Sequence, residues 1–160
     1  MSKFDLVIKG GTVVTASDTF KADLGVKNEK VIEIGIDICT EGAEVVDASG
    51  KYVFPGGIDP HTHMDMPFGG TYSSDDFKTG TIAAACGGTT TIVDFAIQQN
   101  GKTLKDATDT WREKADGKAV IDYGIHISVT DLNDDILNEM PEIIKQGYSS
   151  FKMFMTYDGL

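Results

Sequence analysis

Cysteine is scarce in this chain. Only Cys39 and Cys86 occur in 160 residues, too far apart to form a CxxC pattern. Motifs built on paired cysteines are therefore absent, and both thiols are expected to be reduced in a cytoplasmic protein, Cys86 packed in a helix. Long apolar runs are missing too. None approaches the ~20 residues that span a bilayer, and the opening Met-Ser-Lys-Phe-Asp-Leu-Val-Ile-Lys-Gly10 lacks the long apolar core of a signal peptide. Positive charge is in deficit: 14 Lys and Arg against 25 Asp and Glu leave a formal net charge of −11. Such a balance argues against nucleic acid or an anionic membrane as partner. No block of like charges stands out, so the acidity reads as general surface solvation.

What is present is enough for one ordinary core, since 41% of the residues are apolar. Two regions differ in pattern. Residues 1–52 read as a small β unit: Phe4 to Ile8 and Thr12 to Thr15 flank a hairpin-like break at Lys9-Gly-Gly11, Asp23 to Val26 and Lys30 to Ile34 flank a turn at Lys27-Asn-Glu29, and Glu44 to Asp47 adds a further strand. Over 53–160 strand, loop and helix repeat at roughly 30-residue intervals, the length of a βα unit. Tyr52 to Ile58 reads as the first strand of this series, followed by a helix from Asp75 to Cys86 that stops at Gly87-Gly88. Thr89 to Ala96 is a buried strand. Leu104 to Ala115 is a helix carrying Trp111, Val120 to Val129 a strand, Asp131 to Gln146 a helix capped by Asp131 or Asn133, and Ser149 to Met155 a fourth strand.

Strands alternating with helices predict an α/β protein with a parallel sheet. Four such units fit either an open sheet or the first half of a TIM-type (β/α)8 barrel. Motif position favours the barrel, because the chemistry-bearing residues gather at or after strand carboxyl ends. A full barrel needs about 250 residues, and half of one leaves open edges. The chain is therefore expected to be a fragment of a longer enzyme.

His61-Thr-His63 places two imidazoles at i and i+2, on one face of an extended segment, as chelation of one ion requires. It follows an apolar strand and the tight Pro55-Gly-Gly57 turn. Asp59, two residues earlier, either orients a ligand from behind or shapes the turn before Pro60. Lys152 lies inside the apolar run Ser149-Ser-Phe-Lys-Met-Phe-Met-Thr156. A buried ammonium is costly, and desolvation favours the neutral amine. A neutral amine can capture carbon dioxide as a carbamate, whose two oxygens can bridge two metal ions. Snorkelling at a strand edge is the plainer alternative, disfavoured by the apolar neighbours and the histidine pair. Tyr157, five residues on, could donate to a developing oxyanion. His126 reads as a satisfied core histidine and Asp94 as a structural, hydrogen-bonded carboxylate, with a role behind a ligand the lesser reading.

Several motifs in order carry a family resemblance: Pro55-Gly-Gly-Ile-Asp-Pro-His-Thr-His63, Met66-Pro-Phe-Gly-Gly-Thr71, Asp75-Asp-Phe77, Gly80-Thr-Ile-Ala-Ala-Ala85, Gly87-Gly-Thr-Thr-Thr-Ile-Val-Asp-Phe95 and Ser150-Phe-Lys-Met-Phe-Met-Thr-Tyr157. Together they resemble the hydantoinase/dihydropyrimidinase group of the amidohydrolase superfamily, over essentially the whole chain. The resemblance implies that His61 and His63 bind the more buried of two divalent metal ions, with zinc the best fit to the ligands, and that Lys152, carboxylated, bridges both. It implies that Tyr157 hydrogen-bonds the substrate and its tetrahedral intermediate, and that Met64 and Phe154 shape the pocket for the substrate's exocyclic group. The substrate would be a small cyclic amide, opened to an N-carbamoyl amino acid. Residues 1–52 would be the amino-terminal part of a β-sandwich, and the assembly a homo-oligomer, a tetramer by analogy. Further metal ligands and a catalytic aspartate would lie beyond Leu160, leaving the isolated fragment inactive.

Among related enzymes, dihydroorotases typically carry an arginine two residues after the histidine pair to hold a carboxylate. Asp65 occupies that position here, which disfavours such a substrate. Allantoinase is harder to separate, its substrate being a substituted hydantoin. The collapsin-response scaffolds keep the fold but lose metal ligands, which does not match intact His61, His63 and Lys152.

Overall fold

A computed structural model describes residues 2–155, which divide into two compact units with the boundary between Pro55 and Gly56. The first unit is a five-stranded sheet of β1 (Leu6–Val14), β2 (Thr19–Lys27), β3 (Lys30–Gly35), β4 (Glu44–Asp47) and β5 (Tyr52–Val53). β1 is its hub, antiparallel to β2 and parallel to both β4 and β5. Asn28 and Glu29, both at positive φ, make the expected turn between β2 and β3.

The expected break at Lys9-Gly-Gly11 is instead a bulge inside one long strand. Pairing jumps from Ile8↔Leu24 to Gly11↔Ala22, so Lys9 and Gly10 oppose the single residue Asp23. Gly10 takes the left-handed conformation (φ +74°) that a bulge of this kind needs. Its freed N–H donates to Asp23 Oδ1 at 2.7 Å. The glycine pair that suggested a hairpin thus kinks a strand without ending it.

The second unit begins with a difference of the same sort. The run from Tyr52 to Ile58 is not one strand. Its first two residues pair with β1, and only β6 (Gly57–Asp59) joins the parallel sheet. Pro55, which cannot donate to a ladder, lies between the two. After β6 come a short hairpin of β7 (Pro67–Phe68) and β8 (Thr71–Tyr72), then α1 (Phe77–Cys86), β9 (Thr89–Ile97), α2 (Leu104–Ala115), β10 (Asp122–Val129), α3 (Asp134–Lys145) and β11 (Phe151–Met153). Each helix starts at a side-chain cap: Asp76 and Thr103 in capping boxes, Asn133 alone. Cys86, expected to be packed, is the exposed last residue of α1.

Strand order is β6-β9-β10-β11, all parallel and in sequence order. A doubly wound sheet reverses direction at a switch point. This one never does, and it is the first half of a TIM-type barrel. Alternation along the strands divides its faces. Ile92 and Ala96 of β9 and Ile125 of β10 pack beneath α1 and α2 with Phe77, Ala107, Trp111 and Ala115. Ile127 and Val129 continue that layer with Leu104, Ile136 and Ile143. The intervening residues Phe95, His126, Ser128 and Lys152 face the other side, which becomes the barrel interior.

Candidate metal centre

The segment after β6 continues in an extended path across the end of β9, with the Thr62 N–H donating to Val93 O at 3.1 Å. Extended geometry alternates side chains, and here it sorts them by chemistry. His61 and His63 both turn inward over the Phe95 ring, at centroid distances of 4.6 and 5.2 Å. Thr62 turns outward, to Asp94. The two imidazoles stand edge to face, 5.0 Å apart.

Lys152 enters from β11 at the register position of Ser128 on β10. Its half-buried side chain brings Nζ to 4.5 Å from the Phe95 centroid and 4.9 Å from that of Phe154. One phenyl ring thus lies beneath both histidines and the lysine. Lys152 and His61 line the same open cleft of about 490 Å³, together with Pro60, Phe95, His126 and Ser150. His63 faces an adjoining recess bordered by Met66, Phe68, Thr71, Tyr72 and Ser73. The structure therefore brings His61, His63, Lys152 and Phe154 together.

Other residues behave differently. Met64 turns away from the cleft into the helix-covered core and lies against Gly80 of α1. Asp59 accepts the backbone N–H of His61 at 3.1 Å, so it shapes the turn and fixes the first histidine by one contact. Tyr157 lies outside the described residues. Asp65 sits with its carboxylate 3.7 Å from Lys114 of α2, on the helix side of the segment.

His126 is satisfied as expected, through Ser150 Oγ at Nδ1 and Pro60 O at Nε2. Its place is the cleft wall, however, not the helix-covered core. Since Pro60 O can only accept, Nε2 carries the proton and Nδ1 takes the serine hydroxyl. Asp94 is fully buried and hydrogen-bonded, as the sequence reading favoured. Phe95 was not singled out from sequence. Its position directly after Asp94 in an alternating strand was the available sign, since it had to face the side opposite that carboxylate.

Metal binding needs neutral imidazole. Burial lowers the pKa of His63; Asp94 opposes that shift, while the charges of His61 and Lys152 add to it. Two nitrogen donors on one face, with an amine across the same cleft, suit a divalent ion if Lys152 becomes an oxygen donor by carboxylation. Among the described residues no group of three or more His, Cys, Asp and Glu assembles. The Ser128 hydroxyl, on the same sheet face as Lys152, is buried without a hydrogen-bond partner among the described residues.

A half barrel that gathers two imidazoles and an amine at its strand carboxyl ends carries its candidate site where TIM-barrel enzymes carry theirs. Residues 52–155 match the Amidohydrolase family, and the chain belongs to that family. It is 57% identical over 152 residues to a D-hydantoinase of Geobacillus stearothermophilus, covering 94% of this chain and 32% of that protein. A D-hydantoinase of Streptomyces coelicolor is 52% identical over 160 residues, covering 96% and 34%. The crystal structure of a dihydropyrimidinase from Brevibacillus agri superposes with a TM-score of 0.94 at 56% identity, covering 96% of this chain and 34% of the other. The chain spans about a third of the length of the curated relatives it matches.

Proposed function

We propose that this chain is the part carrying the first metal ligands of a cyclic amidase that hydrolyses the ring amide of hydantoins or dihydropyrimidines to N-carbamoyl amino acids. The observation that carries the proposal is the convergence of His61, His63 and Lys152 over the Phe95 ring. The likeness to proteins named D-hydantoinase and dihydropyrimidinase supports the substrate class.

In this reading His61 and His63, as neutral imidazoles, would hold one ion, and Lys152, once carboxylated, would supply oxygen ligands to the metal centre. Two bound divalent ions, zinc by ligand preference, would supply Lewis acidity to the ring carbonyl and an activated water near neutral pH. His126 and Asp59 hold the Pro60–His61 backbone, so the first imidazole needs little reorganisation on binding. Phe154 closes the apolar side of the Lys152 amine. Tyr157 is assigned the hydrogen bond to the developing oxyanion, and Met64 supports the substituent pocket from behind.

The same proposal assigns 1–52 to part of a β-sandwich and 53–160 to the barrel. Val31, Ile32, Ile34 and Ile36 of the first unit stand exposed and would be covered by further strands. A cytoplasmic homotetramer completes it. Among the described residues no helix is long and apolar enough to cross a membrane.

The test is ring opening by the complete gene product with hydantoin, dihydrouracil, allantoin and dihydroorotate, against a Lys152→Ala control. Turnover of hydantoin or dihydrouracil that the control lacks is the expected result. Preference for allantoin or dihydroorotate would overturn the substrate assignment. Metal-loaded protein that opens none of the four would reject the reaction.

A further inference from the structure

Asp94 is fully buried on the helix side of β9, and its two oxygens divide their work. Oδ2 accepts the Thr62 hydroxyl at 3.0 Å and the Met64 N–H at 2.7 Å. Oδ1 accepts the Phe95 N–H at 2.8 Å and the Trp111 indole N–H at 2.9 Å. The residues gripped by Oδ2 bracket His63, one on each side in sequence. One turn along α2 from Trp111, Lys114 donates to Asp65 O at 2.6 Å, with its ammonium 4.4 Å from the centroid of the Trp111 ring. Neither residue touches the cleft, yet the segment from Thr62 to Asp65 is tied to α2 through both.

We infer that Asp94, oriented by Trp111, is a positioning residue that fixes the His61-Thr-His63 segment for metal binding from the opposite face of the sheet. The inference rests on the reading of His61 and His63 as ligands. Chemistry decides which half of the grip can be lost. A carboxylate accepts at both oxygens, whereas an isosteric amide turns one of them into a donor. In Asp94→Asn the amide nitrogen must face either Phe95 and Trp111, two fixed N–H donors, or Thr62 and Met64. The Thr62 hydroxyl can rotate and accept; Met64 N–H cannot. The second orientation leaves one conflict in place of two, so the defect settles on the histidine segment while the Trp111 bond survives.

The experiment measures zinc affinity of the complete gene product by competition with a chromogenic chelator, alongside thermal midpoints. Three variants are compared with the wild type: Asp94→Asn, Thr62→Val and Ile125→Val, the last a core change in the same helix-side layer that leaves the Asp94 bonds intact. Losses of about tenfold or more in affinity, typical when a group orienting a ligand is removed, are expected for Asp94→Asn. Thr62→Val should lose less, in the same direction, and Ile125→Val should keep wild-type affinity although its midpoint falls. Asp94→Asn binding zinc as tightly as wild type would overturn the positioning role alone. A matching loss in Ile125→Val would show a general stability effect and also overturn it. Wild-type protein that takes up no zinc would remove the metal reading and this inference together.

Discussion

Asp94 and Phe95 are neighbours in sequence and face opposite sides of one strand, and the contrast between those sides organises the second unit. On the helix side, the buried Asp94 carboxylate is held by four donors, and around it the surface is close-packed and apolar. On the cleft side, Phe95 is the apolar element, and what stands over it is an amine and three imidazoles. One face holds the strands in register; the other presents groups whose value lies in remaining available. Substitutions should therefore separate: the cleft side should lose chemistry without stability, and the apolar residues of the helix side the reverse, with Asp94 the exception because it grips the histidine segment.

The largest expected effect is on the cleft side. Lys152→Ala should lower turnover by roughly a thousandfold or more, because it removes the group assigned to supply oxygen ligands to the metal centre. Its thermal midpoint in the metal-free protein should stay near wild type, since among the described residues the amine rests against the Phe95 and Phe154 rings and forms no ion pair. On the helix side, Phe77→Ala deletes a fully buried ring from the core beneath α1. A loss of about 3–5 kcal/mol is expected in chemical denaturation, with zinc affinity of the folded fraction preserved. If Phe77→Ala weakened metal binding as strongly as Asp94→Asn, the two faces would not be separable.

Much of this division was legible in the chain. The i, i+2 spacing of His61 and His63 gave one inward face because the segment is extended, and the apolar run around Lys152 marked an inward-facing strand. Asn133 capped its helix as composition suggested. What failed depended on pairing partners. Gly10 and Gly11 read as a turn because glycine permits both a turn and a bulge, and only the Asp23 carboxylate opposite selects the bulge. The run from Tyr52 to Ile58 read as one strand because periodicity cannot see which sheet each half joins. His126 was placed in the core because a histidine between isoleucines looks the same from either face. Its side follows only from its register partner, Phe95.

Met64 offers a finer probe, since its backbone belongs to the histidine segment and its side chain to the core. A Cβ on Gly80 would lie 2.3 Å from Met64 Sδ and 2.7 Å from its Cε, both at the far end of a flexible side chain. Gly80→Ala should improve helix propensity by about 1 kcal/mol, against an overpacking cost of about 1–3 kcal/mol. A small net destabilisation is expected. In a Met64→Ala background the clash is gone, and Gly80→Ala should then stabilise. A double-mutant cycle showing no coupling between the positions would mean that Met64 does not rest on α1 as described.

The smallest effect concerns the helix side at high pH. Tyr123 packs against Phe77 at 5.9 Å between ring centroids and donates its hydroxyl to Asp116. Burial, then the Asp116 carboxylate, push its pKa up from 10.0 to about 12. Asp116, exposed to solvent, is held below its ordinary range chiefly by the same hydrogen bond. The fold thus favours the protonated phenol over the phenolate. Its contribution is complete below the unfolded value near pH 10 and is lost as pH rises through about 12. Half-exposure weakens the charge interaction, so the slope should be shallow. Tyr123→Phe should flatten that part of the alkaline limb in denaturation measured between pH 9 and 12, by about a fraction of the wild-type change. At neutral pH the variant should lose only the hydrogen bond, about 1 kcal/mol. An unchanged alkaline slope would show that Tyr123 titrates as freely in the fold as in the unfolded chain, and the helix side would then have no proton-linked element at this position.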